Sequence, residues 1–473
     1  MSQTTQSRAY YGGIALFFLA VLIFALPSQI FFQAGVLGII IFLVVIFLFN
    51  LRLGLYALAA TSFFYGWEVV LAKYSWAKNI AYLSSVNAPM VDIIALALLF
   101  AVGVVLATRR WIQGQVRNDR WLRALKIPAI LYAIFLVSAA VSAYFFAYDH
   151  NINSSLKYLA RPMFFAFVAF SFLPVILIDS EKKLLTVLKI WFCVGTLTAI
   201  FGLASLVVAP QQEWFRVTPF SIGGFAPLGY NHNLIAEVLV AIIPLGIYLA
   251  ARARQQGARC NFFVYAIGVL LMLLAEFLTL SRAGWVAIFS QIAMTLFLFR
   301  GYLPVYVREI KGEILAAGVL AVVFITLYMG AFLTSSIVSN SNSSRVFSTK
   351  IVLFYAARSP LFGYGPGMYI RVLGDTWDWF SEYGDPLEAH GFMQKILLEE
   401  GLVGLTLFLI FVSYLIYFLW KRAARTRDLM LTATVISVFG AIIFQVFNTS
   451  YFNSVMWMPI GVALAATGLK GKD

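Results

Sequence analysis

The sequence predicts an all-α polytopic membrane protein. It should have about 12–14 transmembrane helices and a long outer loop carrying short amphipathic helices. Three observations predict this. The chain has 473 residues, of which 62% are hydrophobic and only 11% charged, and its mean hydropathy is +0.89. A soluble fold cannot hide that much apolar surface, so part of the solvent must be lipid. Apolar runs long enough to span a bilayer recur along most of the chain. When those runs alternate across a membrane, every dense cluster of positive charge falls on one side.

The spans are expected at 11–30, 34–50, 52–73, 90–108, 127–148, 160–178, 185–208, 232–251, 260–280, 283–300, 313–333, 402–420, 429–446 and 453–468. The first lacks a small-x-small cleavage site and reads as an uncleaved helix. The second and third are separated only around Leu51, as a re-entrant pair or one broken helix. The basic loop from Arg109 to Lys126 is placed in the cytoplasm. Alternation then puts Lys182/Lys183, Arg252/Arg254/Arg259, Arg300/Arg308/Lys311, Lys421/Arg422/Arg425/Arg427 and Lys470/Lys472 on the same side. Both termini are expected to be cytoplasmic. The domain reading is 1–333, transmembrane helices with short loops; 334–401, a long outer loop; and 402–473, C-terminal transmembrane helices.

The net charge of +14 points to cytoplasmic loops and anionic lipid. No basic stripe with base-stacking aromatics is present, so nucleic acid is not an expected partner. Cys193 and Cys260 form no CxxC or Cys/His cluster, so neither a disulfide framework nor a zinc site is supported.

The segment 334–401 interrupts the apolar pattern. It opens with SNSNSSR (Ser339 to Arg345), and Phe347 to Ala357 has the spacing of an amphipathic helix ended by Arg358-Ser359-Pro360. GYGPG (Gly363 to Gly367) reads as a turn. An acidic, aromatic stretch around Trp377, Trp379 and Phe380 follows. Ala389 to Glu400 reads as a second outer helix, broken at Gly401.

Six arginines fall on the side the positive-inside rule disfavours: Arg161, Arg216, Arg282, Arg345, Arg358 and Arg371. An anionic ligand is one common reason for such placement. Snorkelling to headgroups is the plainer one. Arg216 precedes a Gly-rich segment and YNHN (Tyr230 to Asn233). Arg282 sits in a two-residue polar break, and Arg345 is expected to open the amphipathic helix. His390 is one of three histidines and lies two residues after Glu388. An imidazole near its ordinary pKa of about 6.5 suits proton acceptance at neutral pH, and Glu388 is a candidate to orient it. The aromatic–acidic stretch reads either as a loop packed on itself or as a carbohydrate surface. A metal site is not favoured there, because DxD spacing is absent. No cofactor is expected.

These motifs resemble the bacterial O-antigen ligase and O-antigen polymerase superfamily of polytopic glycosyltransferases, with a C-type-like fold. Four features carry the resemblance: Arg216 before YNHNLIAEVL; SRAGW (Ser281 to Trp285) between two spans; Arg345 followed by SPLFGYGPGMY; and EAHGFMQKILLEEGLVGL around His390. It covers roughly Glu213 to Leu405. It implies a multi-pass enzyme of the bacterial inner membrane. Such an enzyme takes a glycan from an undecaprenyl-pyrophosphate carrier on the outer, periplasmic face and joins it to a glycan or glycolipid acceptor. For a ligase, as in lipopolysaccharide biosynthesis, the acceptor is the lipid A core. For a polymerase it is another carrier-linked repeat, and both readings stay open. The resemblance implies a catalytic role for His390 and binding roles for Arg216 and Arg282. The residues themselves add Arg345 and Glu388 as candidates for substrate binding. An inverting, metal-independent displacement is expected. The competing reading is a transporter of an organic anion or saccharide.

Overall fold

A computed structural model describes residues 41–64, 66–70, 87–107, 120–208, 215–219, 226–298, 328, 330, 332–448 and 452–470. The expected span at 11–30, the first part of 34–50 and nearly all of 313–333 lie outside these residues.

The fold class expected from the sequence is what the structure has. Among the described residues, eight helices are long and apolar enough to cross a membrane. They are α2 (Met90–Ala107), α3 (Arg120–Phe145), α4 (Ile152–Leu177), α5 (Glu181–Val208), α6 (His232–Gln255), α7 (Arg259–Leu278), α12 (Phe392–Thr426) and α13 (Leu429–Val446). Three shorter apolar helices join them: α1 (Leu51–Thr61), α8 (Arg282–Leu298) and α14 (Ser454–Lys470).

The span expected at 52–73 is cut short. Asn50 caps α1 by accepting from the amides of Arg52 and Leu53, and the helix ends at Thr61. Glu68–Val70 (β1) then pairs antiparallel with Asn87–Pro89 (β2). The outer loop expected at 149–159 is also shorter, because α4 begins at Ile152. Its stretches Leu159–Phe165 and Phe167–Phe172 are π-helical, and the wider turn accommodates Pro162, which has no N–H to donate.

An aromatic knot holds the centre of the bundle. Tyr132 stacks on Phe167 at 4.4 Å and meets Trp457 edge-on at 4.9 Å. Phe135 packs against Phe408 at 5.1 Å. Each such pair adds roughly 0.5–1.5 kcal/mol beyond simple burial. Gln291 of α8 donates to the carbonyls of Val240 (2.9 Å) and Ile436 (3.1 Å), tying α6, α8 and α13 together. Such a bond recruits backbone carbonyls that otherwise serve only their own helices.

Helix ends sort by charge. Lys182 and Lys183 begin α5, Arg252 and Arg254 end α6, Arg259 begins α7, and Lys421 to Arg425 end α12. These lie at the end of the bundle away from His232 and Arg282, which begin α6 and α8.

Between α8 and the α12 span, the chain builds a layer over the site end. The polar run SNSNSSR is helical, so α9 spans Ser336–Arg358. Arg345 therefore sits in the middle of this helix and does not open it. The helix ends at Arg358, where the Ser-Pro stop signal placed it. Short helices α10 (Tyr369–Gly374) and α11 (Trp377–Tyr383) follow. They pack with α9 and the start of α12 around Val352, Tyr369, Trp379 and Leu398. Gly363, Gly365 and Gly367 all have positive φ, as the GYGPG turn required. At Gly401 (φ 67°) α12 breaks into an outer helix and a span, at the residue where the sequence placed the break.

Candidate functional site

The site grows from three polar junctions at one end of the bundle. The first is the extended strap 215–219. Val217 donates to the carbonyl of Leu278 (2.8 Å), and the amide of Thr218 donates to Ser205 Oγ (3.0 Å). The strap is thus fastened to α5 and to the end of α7. Arg216 is half-buried there. Its Nε donates to the carbonyl of Thr279 at 3.0 Å, and its Nη2 meets His232 Nε2.

The second junction is the tight turn between α7 and α8. Asn231 caps α6 by accepting from the amide of Asn233 (2.9 Å), and Asn233 Oδ1 accepts from Ser281 Oγ (2.8 Å). Ser281 Oγ in turn accepts from the amide of Gly284. Arg282, the first residue of α8, is aimed at the overlying layer. It donates to Asn342 Oδ1 and, at 3.1 Å, to Ser341 Oγ.

The third junction is that layer itself. Arg345 lies one turn beyond Ser341 on α9, and its buried Nε has no hydrogen-bond partner among the described residues. His390 stands half-buried just before α12, between the buried Ala389 and Gly391.

The charges of these groups act on one another. Burial, then the charges of Arg345 and Arg282, push the His390 imidazole down to about 4. Burial and Arg282 lower Arg216 to about 10. Burial and Arg282 also lower Arg345. At neutral pH the histidine is an uncharged proton acceptor, while the guanidiniums keep their charge. Such concentrated perturbation is typical of functional sites. His232 and Arg282 begin α6 and α8, and His390 stands just before α12, so three helix N-termini lie beside these groups and add positive potential.

The six arginines separate clearly. Arg161 pairs with Asp92 at 3.0 Å and Arg371 with Asp149 at 2.6 Å. Arg358 lies 4.0 Å over the Phe354 ring. No ion pair to Arg216, Arg282 or Arg345 occurs among the described residues.

Glu388 turns to Lys395, whose Nζ donates to its Oε2 at 2.7 Å; that ammonium is its ion-pair partner. His232, Ser341, Asn342 and Lys395 were not expected in the site. His232 is visible in YNHN, and the serine–asparagine run shows in the sequence only as an interruption of the apolar pattern. In the aromatic stretch, Trp379 is buried and packs with Tyr383 against Phe347, while Trp377 and Phe380 stay exposed. A groove of about 420 Å³ runs along α9 past Asn342, Ser343, Phe347, Lys350 and Tyr383. Among the described residues, no three His, Cys, Asp or Glu side chains are grouped to hold a metal ion.

A multi-pass membrane bundle with a cationic, histidine-bearing site under a short helical layer is the class these features define. Residues 267–409 match the family model described as O-antigen ligase. That match bears out the resemblance to the O-antigen ligase and polymerase superfamily and supports glycosyltransferase activity of that general type. It runs from within α7 into the α12 span and includes Arg282, Arg345 and His390. Arg216 precedes it. No curated protein matches the chain.

Proposed function

We propose that the protein is an inverting, metal-independent glycosyltransferase of the bacterial inner membrane. It moves a glycan from an undecaprenyl-pyrophosphate carrier to a hydroxyl of a glycan or glycolipid acceptor. The single observation that carries this reading is the grouping of three guanidiniums, none of them ion-paired among the described residues, with the His390 imidazole at a helix-capped end of the bundle. The basic helix ends lie at the opposite end, so the positive-inside rule supports an outer, periplasmic site and cytoplasmic termini.

The chemistry follows from the groups. His390 accepts the proton of the acceptor hydroxyl as its oxygen attacks the anomeric carbon. The new C–O bond forms as the bond to the pyrophosphate oxygen breaks, and attack opposite the leaving group inverts that carbon. Negative charge grows on the departing pyrophosphate. Arg216, Arg282 and Arg345, already fixed by Thr279, Ser341, Asn342 and helix packing, stabilise it with little reorganisation. Guanidinium forks match phosphate oxygens and serve where a divalent ion would otherwise be used. The groove past Asn342 adjoins the anion site, and its hydroxyls, ammonium and aromatic faces suit a saccharide.

The test is transfer from a synthetic carrier-linked donor by purified protein in detergent or vesicles. His390→Ala should abolish transfer while carrier binding and thermal unfolding stay normal. Chelator should leave wild-type activity intact. Unchanged transfer by the variant removes His390 as base. Activity lost to chelator and restored by Mg²⁺ overturns the metal-free reading. Flux of a soluble saccharide without transfer favours a transporter.

A further inference from the structure

The His390 loop is closed by a contact that the reaction does not itself need. Lys395 lies in the first turn of α12, with its side chain 3% exposed. Its Nζ donates to Glu388 Oε2 at 2.7 Å and lies 3.7 Å from Glu399 Oε1. It also faces the Tyr158 ring, 4.9 Å from the centroid. A buried ammonium survives only when its donors are taken up in this way.

We propose that Lys395 is a positioning residue for His390, clamping Glu388 to α12 so that the imidazole is held against the arginine site. The proposal rests on the reading of His390 as the base. The seven-residue step from Glu388 to Lys395 makes His390 part of a closed loop. Two further constraints leave that clamp as the remaining fastening. Ala389 is fully buried in the small core of the layer. Gly391 has φ 139° and lies so close to α13 that an added Cβ would stand 2.2 Å from the Val446 carbonyl oxygen. The chain is therefore fixed on either side of His390, and Glu388 fixes the incoming strand.

The clamp also reaches the glycine turn. Glu399 Oε1 accepts from the amide of Tyr369 at 3.0 Å, and the Glu399 carbonyl accepts from Gly365 at 2.7 Å. Gln394 Nε2 donates to Thr349 Oγ1 (2.6 Å), and Thr349 lies one turn past Arg345 on α9. Lys395 thus sits where the histidine loop, the turn and the arginine-bearing helix are joined. Its own charge is absorbed by Glu388 and Glu399. The charges that act on His390 are those of Arg345 from α9 and Arg282 from α8, so Lys395 works through geometry.

The experiment uses the full chain and a carrier-linked donor. Glu388→Gln is the informative variant, because Glu388 is 41% exposed and its loss leaves the core intact. It should lower kcat on the order of 10-fold to 10²-fold, as a small misplacement of a reacting group does, with KM for the donor and binding of undecaprenyl pyrophosphate unchanged. A loosened loop admits water to His390 and relieves the burial that lowers its proton affinity. The acid limb of kcat/KM should then move upward. Lys395→Met/Glu399→Gln, which removes the ammonium without orphaning the buried carboxylate, should have the same two effects. Adding Glu388→Gln to it should cost little more. If His390→Ala abolishes transfer but both variants keep kcat and the acid limb of the wild type, Lys395 is structural only and the proposal is overturned. If His390→Ala retains transfer, the base assignment itself fails.

Discussion

Six arginines occupy the end of the bundle that positive charge usually avoids, and they divide into two sets. Arg161 and Arg371 are neutralised within the chain by Asp92 and Asp149, and Arg358 is covered by the Phe354 ring and is not among the charges that act on His390. Among the described residues, the partners of Arg216 and Arg282 are neutral (a carbonyl, an imidazole, a serine, an amide), and the buried Nε of Arg345 has none. Position alone did not separate the sets, because all six violate the same topological rule. The chemistry of the neighbours does. A neutral hydrogen-bond partner orients a guanidinium without discharging it, and an oriented, uncompensated charge is what an anion site requires.

Substitutions can break or sharpen this contrast. The largest effect should come from Arg282→Ala, which removes the cation held by Ser341 and Asn342. Transfer should fall on the order of 10²–10³-fold in kcat with unfolding little changed. A loss below about tenfold would put Arg282 with the structural set. Next comes the pH profile of Arg345→Gln. Arg345 lowers His390, so its loss must raise the imidazole from about 4 toward its ordinary value. The acid limb of kcat/KM should move up on the order of a pH unit. A limb that stays in place separates Arg345 from His390. Gly284→Ala is a structural control of intermediate size. Its Cβ would stand 1.9 Å from Glu276 Oε1, a buried carboxylate oxygen. A stability loss of roughly 1–3 kcal/mol is expected from overpacking, read by thermal unfolding. The smallest effect should be Arg371→Gln, whose ion pair with Asp149 is largely exposed. Stability should change by less than about 1 kcal/mol and transfer by less than twofold, roughly the error of such assays. A large activity loss there would erase the contrast.

The bundle was legible in the sequence wherever an apolar run met a clear stop. The turn at Ser281 and the break at Gly401 were visible for that reason. The Ser339 to Arg345 run was not, because its composition argues against a helix. In the structure the hydroxyls fold back on their own helix. Ser343 donates to the Ser339 carbonyl, Ser344 to Ser341, and Thr349 to Arg345. The run itself is not buried, but Val338 before it packs with Leu280, Trp285 and Phe332, and Phe347, Ile351 and Val352 after it pack into the layer's core, so it is held helical between two packed ends and local propensity is overridden. The sequence therefore points to Arg345 as the first residue of a helix that begins nine residues earlier. His390, Arg216 and Arg282 were marked by chemistry that is rare in an apolar chain. Lys395 carried half a signal. Glu399 is its i+4 neighbour, a spacing any helix reader can use. Glu388 lies before the helix begins, and only the folded loop brings it to the ammonium.

The break at Gly401 has a mechanical side. An added Cβ there would stand 2.4 Å from the Leu361 carbonyl, so the glycine turn and the head of the span are pressed together. The freed amides of Leu402 and Val403 donate to the carbonyls of Pro360 (2.8 Å) and Leu361 (3.1 Å). The span from Leu402 is therefore spliced directly to the turn, and the turn is bonded through Glu399 to the base of the His390 loop. A bilayer that is too thin or too thick changes the tilt of such a helix. That tilt is delivered to the layer without a flexible joint between them. On the proposed reading of His390 as the base, its height above the lipid then follows the tilt of this span, and transfer is expected to vary with acyl-chain length.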